Sequence, residues 1–285
     1  MQNFELIAPA TRQEVLNLLA DADEDTRLIA GGTGLLNLVK QRLASPERLI
    51  SLHKLTDLSG IECTADDVTI GALERLWDIE RNSDVAGVLP ILRQVLHEVA
   101  SPRIRGTATI GGALAHADPN LDTPLALLAL DALAIADSAD GTAEIPIAEF
   151  YRDYYETALT PAQLVTALRI PRPAPDSRFS YKKFTPGSKE DYACVNVCIR
   201  LDVDKKGTCQ DARVVLGSLG ATVFRCGDAE KLLQGQRITP ALAAEVARVA
   251  AAATDPVDDT RGTAGYKREM AEVWVRRLVS GMATA

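Results

Sequence analysis

Apolar and polar positions along the chain change period several times, and each change marks an element. Residues 11–20 place Val15, Leu16, Leu18 and Leu19 at helical spacing behind Thr11 and Glu14, a capping-box pair. Residues 27–30 predict a short strand that runs into Gly31-Gly32-Thr33-Gly34. Leu35, Leu36, Leu38, Val39 and Leu43 then return to helical spacing, and 48–52 predicts another strand. The opening is β-loop-α-β in character. Residues 60–72 predict two short strands, and 73–82 and 84–99 predict helices. Residues 100–106 read as a loop, and 107–112 as a strand-like run ending in two glycines. Thr123-Pro124 supplies a hydroxyl N-cap and a proline at the first helical position, for a helix to about Leu130. Strands fit 133–136 and 164–170.

Pro171-Arg172-Pro173-Ala174-Pro175 sets three prolines within five residues, which ends strands and stiffens a linker. It divides the chain into 1–172 and 176–285. Beyond it, 180–184, 193–203 and 212–219 read as strands, with Asp204-Lys205-Lys206-Gly207 as a turn. Helical patterns at 227–234, 240–253 and 263–280 close the chain. Antiparallel strands followed by helices make this second part α+β.

Composition narrows the class of function. The 285 residues are 47% hydrophobic with a net charge of -8, enough for two packed domains and without the basic stripe that phosphate-backbone binding needs. Nucleic acid is therefore not an expected partner. No apolar run is long enough to span a membrane, and the N-terminus lacks a secretory pattern, so a cytoplasmic protein is expected. Five cysteines without C-x-x-C spacing predict neither a disulfide framework nor a zinc site. Cys194 and Cys198 are expected on one face of a strand as small buried hydrophobes. His53, His97 and His116 are far apart in sequence and read as structural or surface residues.

The chemistry lies in the glycine loops. A strand that turns through Ala30-Gly31-Gly32-Thr33-Gly34-Leu35 into a helix leaves amides pointing outward and lets a ligand approach the backbone. A phosphate or pyrophosphate suits it; so does a plain structural turn. Asn37 stands where a G-x-G-x-x-G fingerprint needs its third glycine, and Gly112 stands where a Walker loop needs lysine. The second loop, Thr109-Ile110-Gly111-Gly112, offers hydroxyl and amide donors. Asp118 and Asp122 follow it as acceptors for sugar or ribityl hydroxyls. Two such loops in one domain predict a dinucleotide held without a Rossmann site.

Residues 30–36, 100–105 and 109–131 resemble the FAD-binding domain of the molybdenum hydroxylase family, which includes carbon monoxide dehydrogenase medium subunits and the flavin portion of xanthine dehydrogenase. Tyr181-Lys182-Lys183-Phe184 with Asp191-Tyr192-Ala193 resembles the family's Y-x-K-F and D-[YF]-A region. Gly265-Tyr266-Lys267-Arg268 and Val275-Arg276-Arg277-Leu278 resemble its closing helix. The resemblance implies an α+β fold: a two-part FAD-binding domain of the vanillyl-alcohol-oxidase-like (PCMH) type, with parts at about 1–55 and 56–172, then an antiparallel sheet with helices. It implies that Ala30, Gly31, Gly32, Thr33, Gly34 and Leu35 hold the FAD pyrophosphate from one side and Thr109, Gly111 and Gly112 from the other. Asp122 would take ribityl or ribose hydroxyls, Lys183 would sit close to the flavin, and Tyr192 near the isoalloxazine ring. The family often carries Asp or Ser at the place of Gly34 and Asn at that of Gly106.

The same resemblance implies an oxidoreductase subunit rather than a complete enzyme. Electrons would arrive from a partner's [2Fe-2S] cluster and leave to an external acceptor. The partners would be an iron–sulfur small subunit and a large subunit with the molybdenum cofactor, in a dimer of heterotrimers. No metal is expected on this chain: no cysteine lies between Cys63 and Cys194. A self-sufficient FAD-dependent oxidase or reductase would need a larger substrate domain, and a nucleotide-binding scaffold would keep the loops without redox chemistry.

Overall fold

A computed structural model describes residues 3–282. The opening unit contains β1 (Glu5–Ile7), α1 (Arg12–Ala20), β2 (Thr26–Ile29), α2 (Leu35–Gln41) and β3 (Arg48–Ser51), with the strands in a parallel sheet of order β1-β3-β2. The capping box predicted from Thr11 and Glu14 is present in α1: Thr11 Oγ1 accepts from the Glu14 amide at 3.3 Å, and Glu14 Oε2 accepts from the Thr11 amide at 3.4 Å. Val15, Leu16 and Leu19 are its buried face. Helix α2 ends two residues before Leu43, because Arg42 turns left-handed (φ 62°) and its amide closes back on the Leu38 and Val39 carbonyls.

The next unit is larger. It runs through β4 (Ile61–Cys63), β5 (Asp67–Gly71), α3 (Leu76–Arg81), α4 (Ser83–Val88), α5 (Pro90–Glu98), α6 (Pro102–Arg105), α7 (Ile110–His116) and α8 (Thr123–Ala129). It continues with β6 (Leu133–Ser138), β7 (Gly141–Pro146), α9 (Ile147–Phe150), β8 (Tyr151–Asp153), β9 (Glu156–Thr157) and β10 (Leu164–Pro171). Its main sheet is antiparallel, in the order β4-β5-β10-β6-β7.

Several expectations change here. The helix expected over 84–99 is two helices, because Pro90 has no amide to continue α4 and starts α5 instead. Residues 102–105 form a short helix capped by Ser101 rather than open loop. The run 107–112 is not a strand: Thr109 is the N-cap of α7, and both glycines lie in its first turn. In α8 the N-cap is Asp122, which moves Thr123 to the first helical position and Pro124 to the second.

The last unit holds β11 (Ser177–Phe184), β12 (Val195–Val203), β13 (Cys209–Gly217), β14 (Phe224–Arg225), α10 (Gly227–Leu233), α11 (Pro240–Ala252) and α12 (Ala264–Met282). The four strands are antiparallel in that order. Strand β12 is buried on both faces. Val195, Val197, Ile199 and Leu201 pack with Val246, Ala250, Ala271 and Val275 of α11 and α12. Cys198, with Tyr181 and Val215 beside it, joins the core of the preceding unit. Cys194 lies just before β12 and packs on the helix side, so the two cysteines do not share a face. The same sandwiching explains α8, whose seven residues are all buried; a helix apolar all round must be covered all round.

Polar groups fix this seam as well. Asp131 follows α8 in a left-handed conformation (φ 53°) and accepts from Arg200 Nη1 at 3.0 Å, Arg213 Nε at 2.9 Å and Arg225 Nη1 at 3.3 Å. Asp202, Asp211 and Glu230 balance the remaining charge. Asp131 is partly exposed, so the cost of removing it lies between that of breaking a surface pair and that of breaking a buried one. Asp131→Ala should therefore lower stability in urea unfolding by about 2 kcal/mol. Asp131→Asn, which tolerates the left-handed backbone, should cost less. An unchanged midpoint for the alanine variant would show that the seam does not depend on this carboxylate.

Candidate cofactor site

The two glycine loops come together by close backbone approach. A Cβ on Gly31 would lie 2.1 Å from the Thr107 carbonyl oxygen, and one on Gly112 would lie 3.6 Å from the Ala30 Cβ. Gly32 takes φ +70°, the left-handed turn that carries the chain from β2 into α2. The loops are therefore neighbours in space, across about 75 residues of intervening chain.

Their backbones differ in what they leave free. Among the described residues, the amides of Gly31, Gly32, Thr33, Gly34 and Leu35 have no acceptor. In the second loop three amides already have acceptors. Ile110 donates to the Glu74 carbonyl at 3.0 Å, Gly111 to the Ala72 carbonyl at 2.8 Å, and Gly112 to Thr109 Oγ1 at 3.1 Å. Of the amide donors expected of Thr109-Ile110-Gly111-Gly112, those of Ile110 and Gly111 are thus spent in seating α7 on the β5–α3 connection and that of Gly112 in capping α7. A row of free amides on a glycine turn fits a diphosphate, and the missing Cβ atoms let Thr107, Leu36 and His116 close in around that turn.

Helix α7 ends at His116, which faces Gly34: a Cβ there would lie 2.6 Å from His116 Nε2. Tyr155 meets the imidazole edge-on, with ring centroids 5.5 Å apart. The Tyr155 amide donates to the Ala117 carbonyl at 3.1 Å, and its hydroxyl donates to Asp118 Oδ2 at 3.2 Å. Asp118 Oδ1 accepts from the amide and side chain of Asn120. Burial, and then the nearby Asp118 charge, push the Tyr155 and Tyr192 phenols up. Burial pulls the His116 imidazole down, against the opposing pull of Asp118. Tyr192 is 48% exposed, with the Arg261 guanidinium 6.0 Å from its ring centroid and Arg261 itself paired to Asp259. A run of contacts thus leads from the first loop through His116 and Tyr155 to Asp118, whose charge also reaches Tyr192. His116, expected as a structural or surface residue, stands inside it; so does Tyr155, which sequence reasoning missed together with the β8–β9 hairpin.

Asp122 and Lys183 lie deeper. Lys183 Nζ donates to Asp122 Oδ2 at 2.9 Å and to the Glu98 carbonyl at 2.9 Å. Asp122 Oδ1 accepts from the Tyr181 hydroxyl at 2.6 Å and from Asn196 Nδ2 at 3.2 Å. Burial pushes the Asp122 carboxyl up, and Lys183, Tyr181 and Asn196 pull it back. A carboxylate has about four lone-pair sites and an ammonium three donors. Each of the two groups therefore keeps one hydrogen-bonding site in hand.

The family description "FAD binding domain in molybdopterin dehydrogenase" matches residues 2–173, and "CO dehydrogenase flavoprotein C-terminal domain" matches residues 179–282. The chain belongs to this flavoprotein family. Its relatives include the carbon monoxide dehydrogenase medium chain of Afipia carboxidovorans, 34% identical, with 97% of this chain and 96% of that one covered. The 6-hydroxypseudooxynicotine dehydrogenase complex subunit alpha of Paenarthrobacter nicotinovorans is 30% identical, over 98% of this chain and 94% of that one. Among solved structures, a carbon monoxide dehydrogenase chain from Hydrogenophaga pseudoflava superposes with a TM-score of 0.95 at 30% identity, covering 99% of both chains. The flavoprotein is thus an oxidoreductase subunit with FAD as its cofactor. Among its described residues, no group of His, Cys, Asp and Glu side chains is arranged to hold a metal ion, and no helix is long and apolar enough to cross a membrane.

Close backbone approach makes a direct test. Gly31→Ala, whose methyl would collide with the Thr107 carbonyl, should reduce the flavin content of the purified chain at least tenfold, on the order of a loss above 1.4 kcal/mol. Gly281→Ala, which meets nothing within 4 Å, should leave it unchanged. A normal flavin load in the Gly31 variant would remove this loop from the site.

Proposed function

We infer that this flavoprotein is the FAD-carrying electron-transfer subunit of a heteromeric molybdenum hydroxylase. It takes electrons from a partner [2Fe-2S] subunit and passes them to an external acceptor. The observation that carries the reading is the row of free amides from Gly31 to Leu35, in a chain that matches a medium-chain relative over 97% of its length. Bound FAD supplies the redox chemistry; the protein supplies binding, orientation and electrostatics.

In this reading Ala30, Gly31, Gly32, Thr33, Gly34 and Leu35 hold the pyrophosphate. Thr109, Gly111 and Gly112 form the wall that presses α7 against that loop. Asp118 and Asp122 take hydroxyls of the cofactor, and Lys183 donates its free N–H near the flavin. Tyr192, half-exposed beside Arg261, borders the ring. Residues 1–172, in parts of about 1–55 and 56–172, form the FAD-binding domain, and 176–285 the carbon monoxide dehydrogenase flavoprotein type of C-terminal domain. The partners are an iron–sulfur small subunit and a molybdenum large subunit, in a cytoplasmic dimer of heterotrimers. Support for partners comes from relatives named as a medium chain and as a subunit of a dehydrogenase complex.

The experiment is purification of the tagged chain from its native host. Two companions should co-purify, one containing iron and sulfide and the other molybdenum, while the isolated chain shows negligible dehydrogenase activity toward the substrate that the complex oxidises. Full turnover by the lone flavoprotein would overturn this reading in favour of a self-sufficient oxidase.

A further inference from the structure

Gly34 is the last residue of the first loop, and the space its side chain would take is already filled. A Cβ there would lie 2.6 Å from His116 Nε2, 2.7 Å from Cδ2 and 2.9 Å from Cε1. The imidazole therefore occupies, from the end of α7, the place a residue-34 side chain would hold. It is fixed there by its neighbours. Ala117 caps the helix in a left-handed turn (φ 51°), Tyr155 meets the ring edge-on, and Asp118 sits in the same corner. The hydrogen bonds of this corner run from Gly112 to Thr109, from Asn120 to Asp118 and from Tyr155 to Asp118. Among the described residues none engages the imidazole. Among the described residues, a half-buried histidine with no partner thus touches the glycine loop whose amides lack acceptors.

We propose that His116 is a binding residue for the diphosphate of FAD, supplying at the place of Gly34 the side-chain donor that glycine lacks. The proposal rests on the reading of the first loop as the pyrophosphate site. An imidazole donates from Nε2 both as the neutral Nε2–H tautomer and when protonated. A hydrogen bond to a charged oxygen is among the stronger ones in proteins. Helix α7 then has two functions: its first turn packs against the first loop through Gly112, and its last residue closes over the other end of that loop. Tyr155 and Asp118 act on His116 as positioning residues, holding the ring in register with Gly34.

The test uses the full-length chain stripped of flavin and titrated with FAD and with riboflavin, which has no phosphate. The wild-type chain should bind FAD far more tightly than riboflavin. His116→Phe keeps a flat ring but no donor, and should weaken FAD binding about tenfold while leaving riboflavin binding unchanged. His116→Gln, which keeps a donor, should recover part of the loss. Gly34→Ser alone should bind FAD poorly because its Cβ meets the imidazole. Gly34→Ser combined with His116→Ala should bind FAD better than either single variant, since the serine hydroxyl then has both room and a donor to offer. Thermal unfolding of each variant separates lost binding from lost folding. Unchanged FAD affinity in His116→Phe, an equal loss for FAD and riboflavin, or a double variant no better than the singles would each overturn the role of His116. A wild-type chain that binds both flavins equally would instead overturn the loop reading itself, and the proposal with it.

Discussion

One buried carboxylate joins the two halves of this molecule. Asp122 begins α8, and its partners come from the other side of the seam: Tyr181 and Lys183 on β11 and Asn196 on β12. A carboxylate left alone at that depth would be expensive, so its position is tolerated only while all three donors are present. That requirement fixes α8 against the C-terminal sheet and, through Lys183, ties the same point to the end of α5. The apolar burial of β12 on both faces supplies the attraction between the halves; the Asp122 and Asp131 clusters decide the register in which they meet.

From that fixed seam the cofactor site follows. The chain between α7 and α8 is short and carries Asp118 and Pro119, and the Pro119 carbonyl accepts from the Ser218 amide at the end of β13. With both ends of this connection held, α7 can project its first turn against Ala30 and its last residue against Gly34. The two glycine pairs then divide the work. One is a turn with open amides, suited to an anion. The other is a helix start whose Ile110, Gly111 and Gly112 amides are consumed in seating and capping α7, the helix that packs against that turn.

Much of this was legible in the sequence because its causes are local. The capping box at Thr11 and Glu14, the Asp204 turn and the long helices α11 and α12 are set by residues adjacent in the chain. The first glycine loop is legible for the same reason, since a strand, a left-handed glycine and a helix follow one another directly. The second loop reads as strand in the sequence because what makes it a helix start is remote: Ile110 and Gly111 donate to carbonyls some 36 to 39 residues earlier. His116 and Tyr155 were invisible as site residues because their meeting depends on a hairpin with no strong apolar period. Cys194 and Cys198 read as sharing a face because the apolar run begins two residues before the strand does. The burial of Asp122 and Lys183 could not be read from spacing, since their partners are about 60 residues apart.

The division of labour between the glycine loops is the central claim, and amide hydrogen exchange on the full chain with and without FAD measures it directly. The account predicts that the amides of Gly31, Gly32, Thr33, Gly34 and Leu35 exchange rapidly in the flavin-free chain and become strongly protected when FAD binds. It predicts that the amides of Ile110, Gly111 and Gly112 are slow in both states. Protection that appears on FAD binding at Ile110, Gly111 and Gly112 but not at the first loop would contradict it.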